Sequence, residues 1–496
     1  MTTAVILLIG ATLRIYQFIF NRPLWLDEAM LAVNVIDRSY IDLLEPLDAR
    51  QNAPILFLFL VRTSINLFGP NEYALRLPTL VFGLISLWLF YLVSKKYNSP
   101  RTVPYALLLF AISNSLVYYS SEFKQYSIDV SVTLFIYILA LKLYEKKISY
   151  PWAFLYGFLG ALSLWFSFPA IFVLASVGFS LILCSLLERK KIDFIKYGII
   201  AFLILISFLL IFHLVINNSV GSDGQLAAWA RKGYFAPNPL TSSPKDTISW
   251  YLDAFKNIFI NPGSLGIYGL SWVLFICGCT QKIVQQKRFQ LFVLVLPIVI
   301  ALIASILQKY TFTTWSSLDY ISRGRSLLFI VPSLLLLVAE GLDYLKKRVH
   351  KFVYIGIVFV LFLNPVLIGL NNLKNPIVGE NIRPVIEYIF DKSKSNDKVY
   401  LFYRTKHQFD YYQRRFQNSK NLETIRGVAG KNSFVQNIEN LRGNSRVWFL
   451  FSYSWERSLK VKEFTLDYIQ SLECSLELDR LEKKGASTYL YDLNRC

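Results

Sequence analysis

Long apolar runs recur along most of the chain, and they constrain its fold more than any other feature. Crossing the roughly 30 Å hydrocarbon core of a bilayer takes about 17–25 helical residues. Hydrophobic residues make up 54% of the sequence, and its mean hydropathy is +0.42. Runs of spanning length lie near residues 3–20, 73–94, 103–120, 127–144, 197–216, 264–280, 290–307, 326–344 and 352–370. The chain is therefore predicted to be a polytopic α-helical membrane protein.

The number of spans and their direction follow from the loops. The stretch 152–187 is too long for one span and Pro169 interrupts it, so we expect two short spans there and about 11 in all. Short basic loops are 95–101, 142–147, 188–196, 281–288 and 346–351. Lys and Arg concentrate on the cytoplasmic side, and this count places all of these loops there. The pattern predicts a plasma-membrane protein with a cytoplasmic N-terminus in a retained first span.

The loops on the opposite side are longer and richer in polar groups, so we expect the functional site there. They are 21–72, 119–126, 217–263 and 308–325. Loop 21–72 has an amphipathic segment and an apolar run from Pro54 to Phe68, both predicted to be helices lying on the membrane interface. The net charge of +19 comes largely from short clusters between spans, which argues against a nucleic-acid partner.

The composition changes after Leu370. Residues 371–496 hold 36 of the 85 Lys, Arg, Asp and Glu side chains of the chain. Strand-like runs at 399–403, 447–451 and 487–491 alternate with helical patterns such as 383–392. We expect a small extracytoplasmic α/β domain over 371–496, following a membrane domain over 1–370.

Five cysteines are present, and two of them, Cys474 and Cys496, fall in this outer domain. A disulfide between them is one interpretation, since the extracytoplasmic side is oxidising. Cys277 and Cys279 lack the spacing of metal ligands, and with three histidines in the chain a histidine-based zinc site is not expected.

Several segments in the outer loops occur together in one known family. They are Trp25-Leu26-Asp27-Glu28-Ala29, Asn52-Ala53-Pro54, the segment Leu67 to Pro78, Ser121 to Ser127, Ser322-Arg323-Gly324-Arg325, and Arg383 to Ile389. In this order they resemble the polyprenyl-phosphate-dependent glycosyltransferases of the GT-C superfamily, in the branch of protein O-mannosyltransferases and lipid A aminoarabinose transferases. The chain departs from many relatives at Asn52, where an acid is common, and at Lys124, where an arginine is common, which leaves the acceptor class open.

The resemblance implies an inverting transfer of sugar from a polyprenyl phosphate to an acceptor. Such a reaction needs a base for the acceptor proton, and Asp27 is the candidate. The alternative for Asp27 is an N-cap of the helix that follows. Glu28 is either a first-turn acid or an orienting group, and Glu122 either a catalytic group or the partner of Lys124 in an ion pair. A divalent cation held by these three carboxylates is the one cofactor left open.

Fixed cations would stabilise the departing phosphate, and the candidates are Lys124, Arg323 and Arg325. The two arginines could instead bind anionic lipid headgroups. Arg76 is a candidate for positioning the substrate, or it clamps loop 21–72 by pairing with Glu72, four residues earlier, which is the role we expect. Tyr126 could stack on a sugar or belong to the interfacial aromatic belt.

The partners implied are a polyprenyl-phosphate sugar donor, membrane lipids, and an acceptor that the sequence does not identify (protein, lipid or glycan). The stretch from Gly221 to Gly233 in loop 217–263 is either a lid or an ordinary solvated loop. Two other functions stay open: a transporter or flippase of a lipid-linked sugar, and a scaffold. A transporter usually has charged residues within its spans, whereas here Arg14 is the main one, and it can extend toward an interface.

Overall fold

The computed structural model describes residues 2–145, 148–189, 193–216, 229–266, 268–314, 324–416, 422–428, 431–453, 456–472 and 474–494. Fifteen α-helices of at least six residues precede residue 375: α1 Thr3–Ile19, α2 Leu26–Asp37, α3 Ile55–Phe68, α4 Glu72–Tyr97, α5 Val103–Ile112, α6 Asn114–Tyr119, α7 Tyr126–Glu145, α8 Tyr150–Phe166, α9 Ala170–Glu188, α10 Phe194–Ile211, α11 Pro244–Asn257, α12 Tyr268–Val284, α13 Arg288–Ile306, α14 Val331–Lys346 and α15 Lys351–Lys374. These counts cover the described ranges alone. The 3₁₀ turn Arg325–Ile330 leads directly into α14.

Seven helices in the described part of the chain are long and apolar enough to cross a membrane. They are α4, α7, α9, α10 with its extension to Val215, α13, Arg325–Lys346 and α15. Shorter apolar helices, α1, α5 and α12 among them, coincide with other predicted spans. The fold is therefore that of a multi-pass membrane protein, while the count of about 11 spans stays a prediction.

The stretch 152–187 does contain two helices, as its length predicts. α8 ends at Phe166, and α9 begins at Ala170 after a break that includes Pro169. Proline lacks an N–H donor, and the N–H groups at a helix start have no acceptor within the helix, so proline fits at such a start.

The helix in the predicted span 103–120 breaks at Ser113 into α5 and α6. Ser115 N–H donates to the Ser264 hydroxyl at 3.0 Å, so a side chain from a distant segment satisfies a backbone donor near the break. A backbone N–H in a low-dielectric interior needs a hydrogen-bond acceptor. Because Ser264 is far from Ser115 in the sequence, the local pattern did not predict the break.

Arg14 does not extend toward an interface, contrary to expectation. Its side chain is buried between α1 and α5 and donates to the carbonyls of Gly10, Phe110 and Ala111 at 3.0–3.3 Å. Backbone carbonyls thus satisfy this intramembrane cation, which gives it a structural role in joining two helices.

The C-terminal part contains a five-stranded sheet with helices, as the predicted strand and helix patterns indicated. Its elements are α16 Arg383–Lys392, β1 Lys398–Leu401, α17 Lys406–Arg415, β2 Glu423–Arg426, α18 Lys431–Glu439, β3 Val447–Ser452, α19 Glu456–Ser471, β4 Leu476–Lys483 and β5 Ala486–Asp492. The strand order is β2-β1-β3-β5-β4, with β1 parallel to both neighbours and the other pairs antiparallel. The predicted strands are the three central ones, which are the most buried.

Cys474 is disulfide-bonded, whereas Cys277 and Cys279 are free thiols. Cys496 lies outside the described residues, so its pairing with Cys474 stays a prediction.

Candidate active site

Two residues singled out in separate sequence motifs, Asp27 and Arg325, form an ion pair. A carboxylate oxygen of Asp27 lies 2.8 Å from Arg325 Nη2, and each side chain is about one quarter exposed. The guanidinium also lies over two aromatic rings, 5.3 Å from the centre of Trp25 and 5.8 Å from that of Tyr126. Arg325 therefore faces the start of α2 and is held there by charge and by cation–π contacts.

Asp27 is not the N-cap of α2, so that alternative is wrong. The helix begins at Leu26 with Trp25 as its N-cap residue, which places Asp27 second in the first turn. Burial raises the pKa of Asp27, but the charges of Arg325, Lys124 and Arg404 and the hydrogen bond from Arg325 outweigh it and lower the pKa below its ordinary value. The carboxylate is consequently ionised at neutral pH.

Lys124 is the second cation near Asp27. It lies between α6 and α7, is almost fully buried, and donates from Nζ to Gln51 Oε1 at 2.7 Å. Burial lowers the pKa of Lys124, although Asp27 opposes this shift. The expected ion pair between Lys124 and Glu122 is not formed, because the side chains turn to different partners.

Glu28 and Arg76 form a fully buried ion pair behind Asp27. Arg76 Nε and Nη2 lie 3.0 and 2.7 Å from the two carboxylate oxygens of Glu28, and Phe123 N–H donates to the same carboxylate at 2.7 Å. The same guanidinium donates to the carbonyl of Arg22 at 2.6 Å. The carboxylate of Glu28 is therefore largely occupied by these contacts.

Arg76 clamps loop 21–72, as expected, but its predicted partner was wrong. Glu72 turns instead to the C-terminal part, where Arg383 lies 3.0 Å and Arg415 3.5 Å from its oxygens. The buried guanidinium of Arg76 needs a carboxylate that is also desolvated, and Glu28 supplies it.

Glu122 is fully buried, and neither of its carboxylate oxygens accepts a hydrogen bond in the described structure. Arg22 Nη2 is 3.8 Å away. Burial and the neighbouring charge of Glu28 raise the pKa of Glu122 to about 7, against the opposing charge of Arg22. Glu122 therefore changes its protonation near neutral pH beside the site.

We expect the pH dependence of stability to reveal this group. The folded pKa of about 7 lies above the ordinary glutamate value, so the folded state binds more protons than the unfolded state between about pH 4.5 and 7. Stability should fall as pH rises through this window, and Glu122→Gln should remove that fall. Melting temperatures of both proteins at several pH values measure it, with the exposed Glu45→Gln as control. Equal slopes in wild type and Glu122→Gln would contradict the assignment.

A close backbone approach sets the position of Arg325. A Cβ on Gly324 would lie 2.8 Å from Pro262 N and 2.9 Å from the carbonyl carbon of Asn261. Backbone atoms cannot move aside as a flexible side chain can, so only glycine fits here. Arg323 lies outside the described residues, as do Gly221 to Gly224.

Gly324→Ala is therefore expected to displace Arg325 and to lower kcat by about tenfold or more, since small misplacements of catalytic groups cost this much. Gly356→Ala on α15 is the matched control, because a Cβ there meets nothing within 4 Å. Activity and melting temperature should be measured together. Equal activity in the two variants would show that this contact does not position Arg325.

No group of three or more His, Cys, Asp or Glu side chains in the described ranges is arranged to hold a metal ion. Glu28 in particular is bound by Arg76 and Phe123, so the three-carboxylate set considered for a cation does not fit. The site as described combines one ionised carboxylate with two cations.

An apolar cavity of about 1000 Å³ lies elsewhere, between α7, α8, α9 and α10. It extends from Ile136 to Glu145 along α7, while Tyr126 at the opposite end of that helix borders the site. None of the candidate site residues lines this cavity.

Three neighbours of the candidate site residues were not predicted, because no sequence pattern marks them. Arg22 pairs with Glu122, Gln51 accepts from Lys124, and the charge of Arg404 lowers the pKa of Asp27. Arg404 comes from the C-terminal part, and its approach depends on how that part packs.

Comparisons with solved structures agree with this architecture. ArnT from Cupriavidus metallidurans bound to undecaprenyl phosphate is 12% identical and superposes with a TM-score of 0.57, over 99% of this chain and 98% of that one. The oligosaccharyltransferase AglB from Archaeoglobus fulgidus, in complex with an inhibitory peptide and a dolichol-phosphate, is 10% identical with a TM-score of 0.53, over 98% and 74%. A second Archaeoglobus fulgidus oligosaccharyltransferase structure, a complex with Zn and sulfate, is 11% identical with a TM-score of 0.53, over 90% and 67%.

The fold is thus that of GT-C enzymes, and with the sequence match it defines a membrane glycosyltransferase. That match is to the family described as dolichyl-phosphate-mannose-protein mannosyltransferase, over residues 52–212. No curated protein sequence matches the chain. The resemblance drawn from the outer-loop motifs, and the enzyme class that it implied, are confirmed.

Proposed function

We propose that the protein transfers a sugar from a polyprenyl-phosphate donor to an acceptor on the extracytoplasmic side, with inversion at the anomeric carbon and Asp27 as general base. The ion pair of Asp27 with Arg325 carries this proposal. It joins a carboxylate able to accept a proton with a cation able to stabilise a departing phosphate, which are the two groups that this transfer needs.

Arg325 has a further donor for the phosphate. Its Nη1 is buried and has no hydrogen-bond partner in the described structure, while Nη2 holds Asp27. Lys124, with its positive charge close to Asp27, is the second phosphate-binding candidate. Guanidinium groups suit phosphate oxygens because their donors are planar and fixed in direction.

Donor binding would also activate the base. A carboxylate stabilised by Arg325 and Lys124 is a weak base while its pKa is low. An entering phosphate brings negative charge to the same cations, so the pKa of Asp27 rises and the carboxylate becomes better able to take the acceptor proton. Proton uptake by Asp27 and departure of the phosphate then occur on opposite sides of the anomeric carbon.

The remaining candidates support this core. The ion pair of Glu28 with Arg76 holds the first turn of α2 in place. Tyr126, whose ring faces Arg325, positions the donor, and Arg323 is a further phosphate-binding candidate. We assign no step to a metal ion, because Glu28 is occupied.

The donor class is supported by the relatives, since undecaprenyl phosphate is bound to ArnT and a dolichol-phosphate to AglB. The acceptor of this protein stays open among proteins, lipids and glycans. We further propose a membrane domain over 1–370 and an extracytoplasmic domain over 371–496, with the N-terminus cytoplasmic in the plasma membrane. Arg383 and Arg415 of the C-terminal part contact Glu72 at the start of α4. These contacts support a C-terminal part that lies on the same side of the membrane as the site.

Transfer of label from a panel of radiolabelled polyprenyl-phosphate sugars tests the proposal. Membranes containing the wild-type chain should move label into an acceptor fraction, and parallel assays with EDTA test for a divalent cation. If the lipid-linked sugar only changes leaflet and no label is transferred, the protein is a flippase and the proposal fails.

A further inference from the structure

Three buried side chains of the C-terminal part bind the backbone just before Asp27. Tyr412 OH accepts from Leu24 N–H at 2.9 Å, and Gln408 Nε2 donates to the carbonyl of Leu24 at 3.2 Å. Glu380 Oε2 accepts from Leu26 N–H at 2.9 Å. These side chains are at most 2% exposed, so water does not replace the bonds when they are lost.

Two of the three side chains also bind each other. Gln408 Nε2 donates to the same Glu380 oxygen at 2.7 Å. Leu26 is the first residue of α2, whose N–H has no acceptor within its own helix. A carboxylate that accepts this N–H stabilises the helix start through both the hydrogen bond and the helix dipole. The start of α2 is therefore fixed by a network that belongs to α17 and to the segment before α16.

A second set of hydrogen bonds, made by Arg383, holds the same backbone segment. Arg383 Nη2 donates to the carbonyl of Asn21 at 3.0 Å, and its Nη1 binds Glu72 at the start of α4. The backbone of residues 21–26 is thus attached to the C-terminal part at both ends, and Asp27 follows immediately.

We infer that Glu380, Gln408 and Tyr412 are positioning residues for Asp27, so that the C-terminal part completes the active site. This inference rests on the proposed function, in which Asp27 must face Arg325. A displacement of about 1 Å at a catalytic group can cost ~10²-fold in rate.

Tyr412→Phe tests the inference, with Tyr411→Phe as the matched control. Both tyrosines lie on α17 and are buried, but the Tyr411 hydroxyl has no hydrogen-bond partner in the described structure. Tyr412→Phe leaves the Leu24 N–H without its acceptor. We expect kcat to fall by about tenfold with KM for the donor nearly unchanged, while Tyr411→Phe keeps wild-type kinetics.

The pH profile separates positioning from a loss of stability. When Asp27 moves away from Arg325, its pKa rises toward the ordinary value, so the acid limb of kcat/KM should shift to higher pH in Tyr412→Phe. A residue that only stabilises the fold would change the melting temperature without moving this limb. Gln408→Glu, which loses the donor and faces Glu380, should show the same shift, and Gln408→Asn a weaker one.

Hydrogen exchange provides a readout that does not depend on activity. The peptide covering residues 22–30 should exchange faster in Tyr412→Phe than in wild type and in Tyr411→Phe. If wild type transfers no sugar yet this difference is present, the proposed function fails and the network stands. Equal exchange, or equal kcat and equal acid limbs in the two variants, would overturn the inference.

Discussion

Asp27→Asn is expected to lower kcat by about 10²–10⁴-fold, which is the usual contribution of a general base. The amide has nearly the same shape as the carboxylate, but it cannot accept the acceptor proton. Because the change also removes the negative charge beside Arg325 and Lys124, the donor phosphate should bind at least as tightly as in wild type. The expected signature is a low kcat with an unchanged or lower KM for the donor.

Steady-state kinetics with purified protein measure both constants. Asp37→Asn is the control, since this carboxylate lies at the other end of α2 and is half exposed. An Asp27→Asn protein that retained kcat within twofold of wild type would exclude Asp27 as the base.

Arg325→Gln is expected to lower kcat by about 10²–10³-fold, as for the loss of one group that stabilises transition-state charge. Replacing Arg325 removes a charge and a hydrogen bond that lower the pKa of Asp27. The acid limb of the pH–rate profile should therefore move to higher pH. Arg325→Lys should recover part of the rate, because it keeps the charge and loses the planar donors and ring contacts.

Arg348→Gln is the control for this variant. Arg348 follows the far end of α14, and its guanidinium also lies over a tyrosine ring, 3.7 Å from that of Tyr344. It should keep wild-type activity. If Arg325→Gln changed KM for the donor alone and left kcat intact, Arg325 would contribute to ground-state binding and not to the departure of the phosphate.

The membrane fold could be predicted well from the sequence because its signal is strong. A run of about 20 apolar residues has few alternatives in water or in lipid. The strands β1, β3 and β5 of the C-terminal part could also be predicted, because they are central and apolar. The edge strands β2 and β4 are polar and were missed. The break at Ser113 depended on Ser264, which no local pattern reveals.

The site was predictable only in part. Asp27, Lys124 and Arg325 stood out because each charge lies at a predicted membrane boundary in a motif shared with a known family. The partner of Arg76 was wrong because spacing along a helix favoured Glu72, whereas tertiary packing supplied Glu28. Glu380, Gln408 and Tyr412 are ordinary polar residues in sequence, and only the packing of the C-terminal part brings them to α2.

The role of Asp27 in sugar transfer is tested by the release of free polyprenyl phosphate in proteoliposomes loaded with a labelled polyprenyl-phosphate sugar and an acceptor extract. We expect wild type to release polyprenyl phosphate in step with sugar transfer, and Asp27→Asn to release almost none although it binds the donor. Release at equal rates in both proteins, or movement of intact donor between leaflets without release, would contradict this expectation.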